Sequence, residues 1–473
     1  MNRFSWCRVW AFMVCLLCSA QVQADFICFP KGGSRQIVLE GRVIPGRTMT
    51  YIHPSLGKLY FKIEMVDHIK AIPPSTLYGR MNAKAGEDAD EIFKSAIWAL
   101  KKGLVREYFA GVEKTLKLNP KHAIARKVLD YKKTMDQVLP DNPAVEKELQ
   151  AVRPNFRIVK GKHFLLLTDT PEKGEKGEKN RATKRLELLE EVYTRFILLF
   201  LSHDVELTIP TERMKVVLFN NYVDFKEYSV SLNPSLASAS GFWEHERNVS
   251  FFFDHSTTPL NKLLAGFSKD IDKAIKDAQI ARAGETVQFL QMIKLLIKID
   301  AENGDITVVS HEATHQLAGN TGLFPRHVRV PKWVHEGLAT YFEAPADAAW
   351  AGIGAVNEER LEWYREVEPI RELSNIDFII GDEVFDYARS LGLILNAYAQ
   401  AWALTHFMME NHPKEFIEYY RMVGELPPDV ILSPELLTAL FNKVFGKDRK
   451  EMELEWRSYM RTLKTDKEKL LGE

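Results

Sequence analysis

Residues 308–317 read VVSHEATHQL, and three of them have the types and spacing of a metal-assisted hydrolytic site. On a helix, His311 and His315 are four residues apart and project from one face, so both imidazoles can hold a single ion such as zinc at about 2.0–2.1 Å. Such an ion acidifies a water in its open position, and Glu312 is placed beside that face to take the proton and return it to a leaving group. The same residues would also serve an ordinary solvated helix that happens to carry two histidines and a glutamate.

A three-ligand site needs one more donor from another element. Residues 333–343 read WVHEGLATYFE after Pro331 and Lys332, and Glu336 heads this second helix as the third ligand. His335 precedes it, but successive helical residues diverge by about 100°, which favours a satisfied or exposed histidine over a fourth ligand.

With these residues in order, the chain resembles the gluzincin zinc peptidases. Their aminopeptidase branch carries a second histidine followed by Gln, then Gly-Asn, then Trp-x-x-Glu-Gly-x-Ala with the third ligand. Here the sequence has His315-Gln316, Gly319-Asn320 and Trp333-Val334-His335-Glu336-Gly337-Leu338-Ala339. HEATHQLAGNTGL, PKWVHEGLATYFE and the later YAQAWALTHF also resemble a family of exported bacterial proteins with a peptidase-like domain, over roughly residues 160–425. The resemblance implies His311, His315 and Glu336 as zinc ligands, Glu312 as general base and acid, and a peptide or protein substrate. It makes Tyr398 the candidate hydroxyl for a tetrahedral oxyanion, with a helix tyrosine at the core edge as the alternative and with Tyr341 and Tyr387 as competitors.

Two departures narrow the expectation. The aminopeptidase branch holds a free amino terminus with Gly-x-Met-x-Asn, whereas this chain has Gly241-Phe242-Trp243-Glu244-His245, so aminopeptidase activity is not supported. Thermolysin-like enzymes orient the first histidine with an Asp four residues after the third ligand. Thr340 stands there, leaving Glu343 as a candidate for that task.

The elements that must position these groups form an α+β pattern. Buried-strand runs at Phe164–Thr168, Met214–Phe219 and Val249–Phe253 and an amphipathic helix at about 182–201 precede the motif. They predict a mixed sheet beside the active-site helix and a mostly helical C-terminal part. The gluzincin-like domain is expected over 155–430, with a helical insertion at about 260–300 and a helical extension over 431–473. The insertion could also cover the cleft of a latent enzyme. Ahead of the domain, glycine-spaced β-branched runs predict a small β-rich module over 25–75. Residues 85–140 read as amphipathic helices in which LKLNPKHAIARKVL resembles the end of one tetratricopeptide-type hairpin and the start of the next, and Pro140, Pro143 and Pro154 punctuate a linker. The helical stretch offers a spacer or a surface for a protein partner, which would be its use in a catalytically idle scaffold.

Length and charge bound the rest. At 473 residues the chain suggests about three domains. Its 63 Lys plus Arg balance 64 Asp plus Glu, so no global field recruits nucleic acid. Residues 1–24 read as a signal peptide, with Arg3 and Arg8, an apolar run from Val9 to Cys18, and Val22-Gln23-Ala24 before the cut. That run is shorter than the ~20 residues of a membrane span. Export to the periplasm or outside the cell is expected, with no membrane attachment after cleavage. Cleavage would leave Cys28 as the sole cysteine, either structurally indifferent or paired between chains.

Overall fold

The computed structural model describes residues 24–29, 31, 37–44, 46, 48–53, 57–174, 179–280, 284–343, 345–346, 349–446 and 448–472. The expected signal peptide therefore lies outside the described residues, apart from Ala24. Among the described residues, no helix is long and apolar enough to cross a membrane. The chain divides into two compact units, Met1–Gly86 and Glu87–Glu473.

The first unit is an antiparallel sheet of β1 (Ala24–Phe29), β2 (Ile37–Ile44), β3 (Thr48–His53), β4 (Gly57–Lys62) and β5 (Asp67–Ala71), followed by α1 (Pro74–Ala85). Its strand order is β4-β3-β2-β1-β5. Side chains alternate across the pleat, so Met49 and Tyr51 are buried while Ile52 faces out. β1 starts where the leader was expected to end. Cys28 on β1 is fully buried, which leaves its thiol no surface for a link between chains.

The second unit opens with α2 (Ala89–Lys101), α3 (Val105–Leu118) and α4 (Ala123–Met135). These helices spend their apolar faces on the same core as α6 (Arg181–Ser202), and the Tyr108 hydroxyl meets Ser202 Oγ at 2.7 Å. The segment is thus built into the larger unit. The proline-rich stretch expected as a linker is instead α5 (Pro143–Val152). Asn142 caps it by accepting from the N–H groups of Ala144 and Val145, and Pro143 fits the first turn, where its missing N–H costs nothing.

The sheet of this unit runs β6-β7-β8-β10-β9. Its members are β6 (Arg157–Lys160), β7 (Phe164–Thr168), β8 (Met214–Phe219), β9 (Phe242–Glu244) and β10 (Val249–Phe253), with α7 (Tyr222–Leu232) between β8 and β9. β7, β8 and β10 are parallel, while β6 and β9 are antiparallel edges, which makes the sheet mixed. The fully buried β7 and the β8 and β10 runs are central, as strands covered on both faces must be. The three-residue β9 carries no periodic signal, and only its pairing with β10 defines it.

α8 (Pro259–Ile280) packs back on α9 (Gly284–Asn320), whose 37 residues run without a break through the HEATH motif. The stretch expected as an insertion therefore comprises α8 and the upstream part of the motif helix itself. The start of α9 lies about 40 Å from His311 along the axis, so the tip of the hairpin stands away from the motif turn. The remaining elements are α10 (Lys332–Phe342), the short strands β11 (Pro345–Ala346) and β12 (Ala349–Trp350), α11 (Glu358–Val367), α12 (Ile376–Ile380), α13 (Glu383–Leu391), α14 (Ile394–Asn411), α15 (Pro413–Gly424), α16 (Pro434–Phe445), α17 (Arg449–Thr462) and α18 (Asp466–Leu471). Phe441, Trp456 and Met460 join the main core, so the C-terminal helices belong to the same unit as the motif.

One buried histidine in this core gives the fold a pH dependence. His406 on α14 faces the Gly354 carbonyl through Nε2 at 3.1 Å and the Tyr459 hydroxyl through Nδ1 at 3.0 Å. Burial pushes its pKa down to about 4, and nearby Glu410 only partly offsets this. A lowered histidine pKa means the unfolded chain takes the proton first. The stabilisation is complete above about pH 6.5 and is lost between there and pH 4, a loss on the order of 3 kcal/mol. Denaturant unfolding at pH 7 and pH 4.5 should show this loss in the native chain and a shallower one in His406→Gln.

Candidate metal centre

The motif helix is bolted to the sheet by the polar residues that follow its second histidine. Gln316 donates to the Lys215 carbonyl of β8 at 3.0 Å and accepts from Ser250 Oγ of β10 at 3.1 Å. Asn320 and Asn248 exchange amide hydrogen bonds at 2.7 and 2.9 Å, and Trp243 Nε1 donates to Asn248 at 3.1 Å. The Trp243 ring lies on Gly319, where a Cβ would stand 2.4 Å from it, so only glycine fits. The residues between the histidines and the loop thus fix where the histidine face of α9 points.

α10 is held just as firmly, by a partner fifty residues away. Pro331 has no side-chain cap to offer, and Asp382 instead accepts from the N–H groups of Lys332 and Trp333, both at 2.8 Å. Asp382 adopts φ of 63°, a left-handed conformation that Asp tolerates better than most residues. Trp333 packs against Phe416 and Tyr419 of α15. At Gly337 a Cβ would meet Thr405 Oγ1 at 2.2 Å, so glycine is what lets α14 cross this closely.

These two helices bring His311, His315 and Glu336 together. His311 Nε2 lies 3.0 Å from His315 Nε2 and 3.1 Å from Glu336 Oε2, and His315 Nε2 lies 3.4 Å from the same oxygen. Among the described residues, this is the one cluster of His, Cys, Asp and Glu with donor atoms close enough to share an ion. A tetrahedral ion with ligands at ~2.0–2.1 Å needs donor atoms about 3.3–3.4 Å apart, so the triangle fits with small adjustments.

Electrostatics point the same way. Burial works against a charge on His311, but its hydrogen bonds to Glu336 and Glu343 outweigh that and raise its pKa well above the usual value. Burial likewise opposes the Glu336 carboxylate, and His315 and His311 hold it ionised nonetheless. The cluster is thus arranged to favour positive charge at its centre, which a bound cation supplies more fully than a proton.

Glu343 orients His311. Its Oε1 accepts from His311 Nδ1 at 2.6 Å, so a neutral His311 ring would turn its Nε2 lone pair to the cluster. Seven residues after Glu336, it falls two turns further along nearly the same helix face. Burial disfavours its charge, yet Arg360 and His311 hold its pKa down to about 2. Thr340, in the place where an acid was sought, bonds its hydroxyl to the Glu336 carbonyl at 2.7 Å.

Glu312 is buried next to this cluster. Burial raises its pKa; His311 and His315 lower it and Glu336 raises it again, while its carboxylate takes a hydrogen bond from the Trp243 backbone. Tyr398 lies across the site, its ring 6.2 Å from that of His311. The charge of Glu336, then burial and Glu312, keep its phenol strongly protonated, so it is a donor. The competing tyrosines face elsewhere: Tyr341 donates to Glu410 at 2.8 Å, and Tyr387 is an exposed ring against Phe378.

His335 stacks on His315 with ring centroids 3.8 Å apart and joins no ligand set. Burial, then the neighbouring His315, push its pKa down to about 3, so it stays neutral. Arg360, Asp382 and Asn248 escaped the sequence reading. Each acts on a residue far along the chain, and no local pattern marks such a partner.

Residues 305–429 match a family model described as a protein of unknown function (DUF1570). The matched stretch includes His311, Glu312, His315, Glu336, Glu343, Arg360 and Tyr398, and it excludes the five-stranded sheet of this unit. No curated protein and no solved structure matches the chain.

Proposed function

We propose that this chain is an exported zinc-dependent hydrolase, most directly a metallopeptidase of gluzincin type. The observation that carries the reading is the convergence of His311 Nε2, His315 Nε2 and Glu336 Oε2 within 3.4 Å of one another beside the buried Glu312. Two imidazoles and a carboxylate are a donor set that suits zinc. Held there, zinc would supply acidity, lowering the pKa of a water in its open position toward ~7 and polarising a carbonyl.

The residues of the chain then have distinct tasks. Glu312, made more basic by burial, takes the proton of the attacking water and returns it to the leaving nitrogen. Tyr398 donates to the oxygen that becomes negative. Glu343 keeps the His311 ring in the tautomer that presents Nε2.

A peptide substrate is favoured by the neighbouring backbone. β9 is an edge strand with no outer partner among the described residues, and its Trp243 N–H is turned toward Glu312. An extended peptide added to that edge would run past the base, held by main-chain hydrogen bonds. A scaffold role would give Glu312 no task beside the triad.

The test is mass-spectrometric mapping of a peptide library after exposure to the purified chain. Cleavage that chelator removes and zinc restores is expected; an intact library at full zinc loading contradicts the reading. On a cleaved peptide, Tyr398→Phe should lower kcat by about 10²–10³-fold, as loss of one preorganised oxyanion donor does, with KM and zinc content unchanged. An unaltered kcat removes Tyr398 from the mechanism.

A further inference from the structure

Arg360 is more deeply committed to the site than a stabilising ion pair requires. Its Nε and Nη2 donate to Glu343 Oε2 at 3.1 and 2.9 Å, and Nη2 also reaches Oε1 at 3.3 Å. Asn357 locks the same pair from the main chain, accepting from the Arg360 N–H and donating to the Glu343 carbonyl, both at 3.2 Å. The guanidinium also lies over the Tyr398 ring, its central carbon 5.5 Å from the ring centroid. One side chain therefore touches the residue that orients His311 and the residue that faces the ligands from α14.

The energetics argue against a purely structural purpose. Arg360 is 8 % exposed and Glu343 2 %, and a buried ion pair is often no more stabilising than a well-packed apolar pair. The cost is higher here because Nη1 is buried without a hydrogen-bond partner among the described residues. What an apolar pair could not do is hold the Glu343 carboxyl in place against His311 Nδ1 by directed hydrogen bonds while bracing an aromatic ring with a flat cation. A lysine would keep the charge but lose the two-pronged grip.

We propose that Arg360 is a positioning residue that sets both sides of the reaction centre together, the His311 ligand through Glu343 and the Tyr398 donor through its ring. The proposal rests on the zinc reading above. Changes at Arg360 should then propagate to two groups it does not join covalently, and the two effects should separate by partner.

Zinc affinity, measured by competition with a fluorescent chelator, reads the first side. Arg360→Met should weaken zinc by about 10–100-fold, the usual effect of losing an outer partner, and Arg360→Lys by less. Glu343→Gln should weaken it to a similar degree, and adding Arg360→Met to Glu343→Gln should change zinc affinity no further. Fluorine NMR of protein labelled with fluorotyrosine reads the second side without substrate, with the Tyr398 resonance assigned by its absence in Tyr398→Phe. That resonance should shift when Arg360→Met is added to Glu343→Gln. The paired variant buries no unbalanced charge, so it serves even if Arg360→Met alone does not fold, as judged by circular dichroism.

Native zinc affinity in Arg360→Met, zinc losses that add in the pair, or an unmoved Tyr398 resonance in the pair would each overturn the proposal. A native chain that binds no zinc would instead strike the reading on which it rests, and the wild-type titration shows that separately.

Discussion

Glu312→Gln is expected to lower peptide turnover by about 10²–10⁴-fold while each chain keeps its zinc, the range that a positioned general base contributes. The two halves of this result come from different features. Zinc stays because the donor triangle comprises His311, His315 and Glu336, with Glu312 on the same helix but outside it. Turnover falls because an amide has no basic oxygen to take the water's proton, although it fills the same buried space and can still accept from the Trp243 backbone. Steady-state kinetics and elemental analysis on the same sample measure both. Loss of zinc along with activity would make Glu312 a ligand, and retained turnover would end its role as base.

Glu336→Ala is the second large effect, and it falls on the metal. Removing one of three ligands should weaken zinc by more than the roughly 10–100-fold that an outer partner is worth. It also takes away the carboxylate lying 3.1 Å from His311 Nε2, so the cluster favours a cation less. Stability then reports the loss by linkage. At zinc a thousandfold above its native dissociation constant, the native chain should gain about 4.1 kcal/mol against denaturant, and the variant no more than about 1.4 kcal/mol. Equal gains in both would mean that zinc binds elsewhere.

Much of the candidate site was legible because its chemistry is local. His311, Glu312 and His315 sit on one helix at fixed spacing, and the residues around Glu336 announce a second helix. The long buried strands were legible for the same reason: β7 is five consecutive apolar or β-branched residues, and β10 is nearly so. What was missed depends on contacts between distant parts of the chain. β9 exists because Phe242, Trp243 and Glu244 pair with β10. α5 was hidden by prolines that break structure in most settings but start a helix when an Asn cap stands before them. Glu343 could be named only as a candidate, since its place at His311 depends on how α10 is held by Asp382 and Arg360.

Periodicity marks the helical segments at either end of the larger unit without showing what they pack against. The helices before the sheet and those after residue 430 carry periodicities of their own, yet Tyr108, Val112, Phe441 and Trp456 all pack into the core that supports α9 and α10. Periodicity shows that a face is apolar; it does not show which neighbour covers that face.

The most direct test of the central claim is a zinc titration of chelator-stripped native chain, with bound metal counted by elemental analysis. One zinc per chain is predicted, held at a site that His311→Ala and His315→Ala each abolish. A chain that takes up no zinc, or takes it up unchanged in those variants, would contradict the account.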